Sequence, residues 1–214
     1  MWNDNASLSP EQIADALATD LYAVCADFAS PEEVLGLRQA LLAQQQAGAM
    51  QQAAIGRGEQ QQVRPDVRND KIVWWEPQKL QNPVEIALYE RLQALRICLN
   101  RSLYLGINYT ELHYAYYPIG GHYEAHYDAF KGVGRRKVSF VLYLNPDWQP
   151  QHEGELRLLF EGQAPIDIAP LAGTLACFLS TEVLHEVRPT KAPRYSLTGW
   201  MRHSDLQDML LANA

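Results

Sequence analysis

The sequence predicts an α+β fold, mainly β, in which N-terminal helices support a sandwich or barrel of short strands. Two segments near the start open with serine, proline and glutamate, a pattern typical of helix N-termini. From Asn108 onward, runs rich in β-branched and aromatic residues alternate with glycine and proline turns. The helices come first and the strands afterwards, which favours an α+β fold over a βαβ repeat.

Three helices are predicted before the main strand region. The first runs over about 10–20 with Ser9 as its cap, and the second runs over about 31–46. Ser30 and Glu33 have the spacing of a capping box, and apolar residues follow at helical intervals. A third amphipathic helix is predicted over 83–103.

Two short strands are predicted among these helices, over 21–28 and 71–75. The segment 48–68 is rich in glutamine, glycine and alanine and has no periodic apolar face. We therefore expect it to be a long mobile loop, since structureless loops of this length are often functional. The tail 205–212 is predicted to form a last short helix. The later strands are predicted in the runs NYTELHYAYYP, GHYEAHYDAF, RRKVSFVLYLN, GELRLLF, GTLACFLS, VLHEVRP and RYSLTGWMR.

Length and composition indicate a single ordinary globular domain. The chain has 214 residues, 47% of them hydrophobic and 20% charged, enough to form a sizeable core. Its three cysteines form no paired motif, and neither a secretory leader nor a membrane-spanning stretch is evident. We expect a reduced, cytoplasmic protein with no membrane partner. A net charge of −7 argues weakly against nucleic acid as the main partner.

His126 and Asp128 are the first candidate metal ligands. Residues two apart on a strand point to the same face, so this pair projects together. His185, in another predicted strand, would complete two histidines and one carboxylate, a set that leaves coordination positions open on iron(II). A His-x-Asp sequence also arises by chance, and a lone histidine is more often structural, so the triplet alone leaves a metal site undecided.

The strand that begins at Arg194 supports a functional site. Arg194, Ser196, Thr198 and Trp200 share one of its faces, while apolar residues occupy the other. A buried guanidinium needs a partner, and its planar fork suits a carboxylate. The distal carboxylate of a dicarboxylic acid such as 2-oxoglutarate would be such a partner. The alternative is a surface salt bridge on an edge strand, which Trp200 on the same face disfavours.

Several of these motifs occur together in the order of a known family. The segments HYAYYP, GHYEAHYDAF, RRKVSFVLYLN and LHEVRPTKAPRYSLTGW resemble the prolyl hydroxylase branch of the iron(II)- and 2-oxoglutarate-dependent oxygenases. The resemblance is to the oxygen-sensing prolyl hydroxylases and their bacterial relatives. It is close over about 110–203 and extends to RNDKIVWWEP. It implies a double-stranded β-helix (jelly-roll) core over 106–203, helical support over 1–105 and a tail over 204–214.

The resemblance also implies site residues. His126, Asp128 and His185 match the iron ligands, and no catalytic residue is implied beyond the metal centre. The remaining histidines therefore receive no role and are interpreted as structural: His113, His122, His152 and His203. The implied cosubstrate-binding residues are Arg194 and Tyr143, which match the clamp of the 2-oxoglutarate C5 carboxylate, with Thr198, Tyr117 and Tyr123. The implied substrate-binding residues are Arg136 and Trp200.

The implied reaction is hydroxylation of a prolyl residue in a protein, coupled to conversion of 2-oxoglutarate and O2 into succinate and CO2. Ascorbate is a candidate accessory reductant. Bacterial relatives suggest elongation factor Tu as the target. A basic rim formed by Lys131, Arg135, Arg136, Arg57 and Arg64 would attract an acidic partner. The loop after Asp128 and the segment 48–68 differ from the animal enzymes, which leaves the target sequence open.

Three other functions are alternatives to this one. A zinc hydrolase would share the triad, because three ligands and an open position also suit catalytic zinc. It would leave Arg194 and Tyr143 unexplained. An oxygenase acting on a free amino acid or on nucleic acid is the second alternative. A β-barrel binding module without metal is the third.

Overall fold

The computed structural model describes residues 7–56, 62–130 and 134–204. Its three α-helices are α1 (Pro10–Thr19), α2 (Pro31–Gln46) and α3 (Pro83–Leu103), each beginning with proline after a polar cap. Ser30 accepts a hydrogen bond from the Glu33 backbone, and the Glu33 side chain accepts one in return from Ser30. The predicted helices are confirmed because local caps determine where they begin. The predicted tail helix lies outside the described residues.

The described strands form two antiparallel sheets. The larger sheet has the order β1-β9-β6-β11-β4-β3-β2, and the smaller has the order β5-β10-β7-β8. This confirms the predicted mainly β fold with supporting helices. The strands, in chain order from β1 to β11, are Tyr22–Cys25, Gln51–Gln52, Lys71–Trp74, Tyr109–Tyr117, Tyr123–His126, Arg136–Tyr143, Leu156–Leu159, Ile166–Ile168, Leu175–Leu179, Leu184–Val187 and Arg194–Arg202.

β1 is shorter than the strand predicted over 21–28. Leu21 and Asp27 flank it with positive φ angles of 69° and 53°, a conformation that an extended strand cannot contain. The run of apolar residues therefore overestimates the strand at both ends.

The two faces of the larger sheet pack against different layers. One face packs on the helices, where Leu17, Leu37 and Leu92 form a core with Leu197. The other packs on the smaller sheet, where Leu158 and its neighbours form a second cluster with Phe178, Val141 and Tyr143. The functional side chains described below lie on this second face, between the two sheets.

β11 lies at the centre of the larger sheet. It pairs with β4 on one side and with β6 on the other over most of its length. Tyr195, Leu197 and Met201 face the helices, so the alternate residues Arg194 and Thr198 face the smaller sheet. The two-faced pattern predicted for this strand is confirmed.

The segment 48–68 is attached to the sheet at both ends. Gln51 and Gln52 pair with β3, and the buried Ala53 donates its backbone N–H to the Asp70 carbonyl. Farther along, Arg68 is buried and forms two hydrogen bonds to the Asp70 carboxylate. The predicted long loop is thus confined to fewer residues, of which 57–61 lie outside the described part. Its mobility stays a prediction.

None of the helices in the described ranges combines the length and apolar character needed to cross a membrane.

Gly199 provides a test of the packing around β11. A Cβ at this position would lie 2.5 Å from the Glu111 carbonyl oxygen and 2.5 Å from Cζ of Phe140. We predict that Gly199→Ala lowers the free energy of unfolding by about 1–3 kcal/mol, the usual cost of overpacking. Urea denaturation measures the loss. Leu35→Ala, on an exposed part of α2, should change it by no more than ~0.5 kcal/mol. Equal stability of the two variants would contradict this account of β11.

Candidate metal centre

The pairing of β5 with β10 brings two histidines together. His185 lies directly opposite His126 in the antiparallel register, and their ring centroids are 4.3 Å apart. Asp128 follows two residues after His126, just beyond the end of β5 rather than within the strand as the spacing predicts. The chain leaves the sheet at Tyr127. The three predicted ligands nevertheless converge.

The ligand atoms form a compact set. One donor atom from each of His126, Asp128 and His185 lies within 4.8 Å of the other two. The Asp128 carboxylate uses both oxygens: Oδ1 is 3.5 Å from His126 Nε2, and Oδ2 is 3.5 Å from His185 Nε2. Two imidazoles and one carboxylate at these separations suit a first-row divalent metal ion with open positions.

Backbone carbonyls fix the orientation of both imidazoles. His126 Nδ1 is 2.7 Å from the Glu124 carbonyl oxygen, and His185 Nδ1 is 3.1 Å from that of Val183. A carbonyl can only accept, so each Nδ1 carries the hydrogen and each Nε2 presents a lone pair. Such a second hydrogen bond is typical of metal-binding histidines.

The charge state of the cluster also suits a metal ion. Burial opposes ionisation of Asp128, but His185, His126 and Arg136 outweigh it and hold the pKa of Asp128 below its usual range. Ser139 Oγ donates a hydrogen bond of 2.6 Å to the same carboxylate. Burial lowers the pKa of His185 to about 4, so its imidazole is neutral near pH 7. A neutral imidazole and an ionised carboxylate are the forms that bind metals.

A buried cation lies deeper between the sheets. Arg194 is 1% exposed and donates through Nε to the Gly154 carbonyl. Within the described ranges no carboxylate lies at ion-pair distance from it. Its guanidinium carbon is 5.0 Å from the Tyr117 ring centroid and 5.1 Å from that of Tyr143. A buried guanidinium with unused donors is costly unless a ligand pairs with it.

Tyr143 lies behind this cation. Its hydroxyl is completely shielded and has no hydrogen-bond partner among the residues described. Burial raises the pKa of Tyr143 to about 12, against the opposing charge of Arg194, so the phenol is neutral. Tyr143 does not line the cavity itself, unlike Arg194, Tyr117 and Thr198.

One cavity connects the cation to the three candidate ligands. His126, Asp128, His185, Tyr123 and Arg194 all line it. The predicted site residues are therefore brought together, with Tyr143 immediately outside the wall. An anionic ligand can contact Arg194 at one end and a metal ion at the other.

The cavity opens towards an aromatic mouth. Trp200 and Trp74 lie on the wall of this mouth, and their ring centroids are 6.2 Å apart. The guanidinium carbon of Arg136 lies 3.5 Å from the Trp200 ring centroid. Arg136 also donates to Glu111 at 2.8 Å. Trp200 and Arg136 were predicted from the sequence, whereas Trp74 and Glu111 were not, because these residues become neighbours only through strand pairing.

Arg68 was also missed. Its guanidinium lies 4.3 Å from the Tyr123 ring centroid, and Tyr123 in turn stacks on His126 with centroids 3.6 Å apart. Asp70, which is wholly buried, holds Arg68 through two hydrogen bonds. The stacked Arg68 and Tyr123 side chains therefore support the ring of His126, one of the candidate ligands.

His113, which was interpreted from the sequence as structural, lies beside the candidate site. It is 2% exposed on β4 and lines both the inner cavity and its mouth. Burial, followed by the charges of Arg68 and Arg136, lowers the pKa of His113 to about 3. The sequence contained one indication of this position. His113 and the predicted site residue Tyr117 lie four residues apart on β4, and residues four apart on a strand share a face.

Comparison with known proteins identifies the family of this arrangement. The family model of the 2OG-Fe(II) oxygenase superfamily matches residues 112–202. Egl nine homolog 1 of Homo sapiens is 34% identical over 146 residues, which are 65% of this chain and 34% of that protein. The rat protein of the same name is also 34% identical, over 43% of its length. The chain thus spans less than half of the length of these curated relatives.

Solved structures extend the similarity to nearly the whole chain. A Pseudomonas putida prolyl-4-hydroxylase has a TM-score of 0.82 and 34% identity, covering 92% of this chain and all of that one. A Trichoplax adhaerens prolyl hydroxylase, solved with a peptide of the hypoxia-inducible factor oxygen degradation domain, also has a TM-score of 0.82. It is 25% identical and covers 94% of this chain and 91% of that one.

Removal of the carboxylate tests the metal centre. We predict that Asp128→Ala weakens iron(II) binding at least ~10-fold, because one of three ligands and the only anionic one is lost. Anaerobic calorimetry with iron(II) measures the affinity. Asp15→Ala, on the exposed side of α1, is the matched control and should bind iron(II) as the wild type does. Wild-type affinity in Asp128→Ala would contradict the assignment of the cluster.

Proposed function

The chain belongs to the iron(II)- and 2-oxoglutarate-dependent prolyl hydroxylase family, and we propose that it hydroxylates a prolyl residue in a protein substrate. One observation carries the proposal: a His–Asp–His cluster shares a single cavity with a buried arginine that has no carboxylate partner among the described residues. A metal site alone would suit many reactions. The arginine adds the requirement for an anionic cosubstrate.

His126, Asp128 and His185 would hold iron(II) in this proposal. Their free Nε2 atoms and ionised carboxylate fit the ion, and three ligands leave positions for cosubstrate and O2. When bound, iron(II) and 2-oxoglutarate supply the oxidation: one atom of O2 enters the substrate C–H bond, the other enters succinate, and CO2 is released.

Arg194 would bind the distal carboxylate of 2-oxoglutarate. Its fork can form two charge-assisted hydrogen bonds, and the neighbouring Tyr143 hydroxyl needs an acceptor. Tyr117 and Thr198 line the intervening wall, while Tyr123 stacks on His126. These residues position the cosubstrate and exclude water, and the oxidation itself belongs to the metal and cosubstrate.

The cavity disfavours the zinc-hydrolase alternative. A hydrolase needs a general base near the metal-bound water, and no glutamate lines the cavity or its mouth in the described ranges. It would also give no reason for a buried Arg194 that has no carboxylate partner in the described part of the chain. A free amino acid as substrate would leave the wide aromatic mouth unused, so a protein segment fits better.

The proposed target is a proline in an exposed, extended protein segment. Trp200 and Arg136 would contact it at the mouth of the cavity. Elongation factor Tu is the candidate protein. This choice rests on the resemblance to bacterial prolyl hydroxylases, whereas the peptide bound to the Trichoplax adhaerens enzyme comes from hypoxia-inducible factor.

The cosubstrate clamp has a direct test. Loss of a hydrogen-bonded charge pair costs about 1.5–3 kcal/mol, so Arg194→Ala should raise the apparent KM for 2-oxoglutarate at least ~10-fold. Tyr143→Phe should have a smaller effect because its hydroxyl is neutral. Succinate release at varied 2-oxoglutarate provides the measurement. The control is Arg157→Ala on the surface of β7, where Arg157 pairs with Asp167. An unchanged KM in Arg194→Ala would falsify the clamp.

The target is tested with purified elongation factor Tu. Incubation with the enzyme, iron(II), ascorbate and 2-oxoglutarate should add 16 mass units, one oxygen atom, to a single proline. Tandem mass spectrometry locates the product, and the Asp128→Ala variant is the control for non-enzymatic oxidation. Succinate release that depends on another protein, with elongation factor Tu unmodified, would assign the target elsewhere.

A further inference from the structure

His113 lies where the inner cavity meets its mouth. In the register of the larger sheet it is paired with Trp74 on β3 and with Thr198 on β11. Its ring is packed between two tryptophans, with centroids 4.8 Å from Trp74 and 5.4 Å from Trp200. The imidazole is therefore held in a fixed place by aromatic contacts.

This imidazole has unused hydrogen-bonding capacity. Nδ1 of His113 is completely shielded and has no partner in the described parts of the chain, and no hydrogen bond there reaches Nε2. Leaving a buried polar group unpaired costs about 1–3 kcal/mol, so such groups in folded proteins usually have a partner when the protein is working. Apolar residues of similar size would fill the same space without this cost.

A second unpaired group lies beside it. Nε1 of Trp200 is likewise shielded and without a partner among the described residues. An indole N–H only donates, whereas a neutral imidazole has one donor and one acceptor. Together they provide unused donors and an acceptor in two side chains that line both the cavity and its mouth. A peptide group, with one N–H and one C=O, is the ligand that matches this set.

His113 lies too far along the strand to serve the distal end of the cosubstrate. Arg194 pairs with Tyr117, and His113 precedes Tyr117 by four residues on β4. Four strand residues span about 13 Å. The terminal carboxyl carbons of 2-oxoglutarate are separated by roughly 5 Å, from four bonds of ordinary length. A 2-oxoglutarate molecule bound at Arg194 therefore does not extend past His113, and the side of His113 that faces the mouth is left for the substrate.

The chemistry of proline specifies which peptide group is available. Its nitrogen carries no hydrogen, so the first N–H near the prolyl ring belongs to the following residue. That N–H and the prolyl C=O form one peptide group. We propose that His113 hydrogen-bonds the peptide group on the carboxyl side of the target proline and so selects a proline within a chain over free proline. This inference rests on the proposed function and specifies its substrate class.

The test uses a minimal probe with no target-specific side chain. N-acetyl-prolyl-glycinamide contains proline and its peptide groups, and its glycolamide ester analogue replaces the N–H after proline with oxygen. Both are titrated anaerobically into the iron(II) and 2-oxoglutarate form, with tryptophan fluorescence from Trp74 and Trp200 as the signal. Without O2 no turnover occurs, so the readout is binding alone.

The wild type should bind the amide about 10-fold more tightly than the ester, the loss expected for one peptide hydrogen bond. His113→Phe keeps the aromatic packing and should bind both probes equally, at the weaker level. His113→Gln should recover part of the preference. His203→Phe, at an exposed histidine, should keep the wild-type ratio. Thermal unfolding checks that each variant is folded.

Three outcomes would overturn the proposal. The wild type could bind amide and ester equally, it could bind neither probe, or His113→Phe could retain the wild-type preference. An effect of His113→Phe on the KM for 2-oxoglutarate alone would place the residue in the cosubstrate site instead. Failure of the proposed function would give a different result. The wild type would bind the amide more tightly than the ester, as predicted, but no protein substrate would gain an oxygen atom in the hydroxylation assay.

Discussion

The site depends on the antiparallel pairing of β5 with β10, which sets His126 opposite His185. Backbone hydrogen bonds fix this register, so the two imidazoles face each other before any ligand arrives. The carbonyl oxygens of Glu124 and Val183 then accept hydrogen bonds from the two Nδ1 atoms. A slip of one residue in either strand would turn one imidazole to the opposite face. The relative position of the two imidazoles is thus a property of the sheet rather than of a flexible loop.

A second constraint is the buried positive charge that the larger sheet places at the site. Arg194 begins the central strand, where it pairs with Tyr117 of β4 and is 1% exposed, and among the described residues its side chain donates a hydrogen bond to the Gly154 carbonyl but forms no ion pair. Elsewhere the described structure compensates buried charges: Arg68 has Asp70, and Arg136 has Glu111. The contrast sets apart Arg194, the arginine proposed to bind the cosubstrate, because a fold gains no stability from an uncompensated guanidinium.

The sequence predicted what depends on local patterns. Caps such as Ser30 with Glu33 determined the helices, and strand alternation placed Arg194 and Thr198 on the inner face. Pairings between distant strands could not be predicted in this way. Trp74, Glu111 and His113 become neighbours of Trp200 and Arg136 only after β3, β4 and β11 align. His113 was therefore interpreted as structural, and Trp74 and Glu111 received no role.

The charges at the mouth argue for recognition by shape and hydrogen bonding more than by long-range attraction. Of the basic rim expected from the sequence, Lys131 and Arg57 lie outside the described residues, and Arg64 and Arg136 are paired with acidic side chains. A paired cation contributes little net field at a distance. Trp74 is 49% exposed and Phe130 is 74% exposed beside the same mouth. An extended segment presenting an apolar proline and a free peptide group would satisfy this aromatic surface, so selectivity would arise from close contacts formed after the encounter.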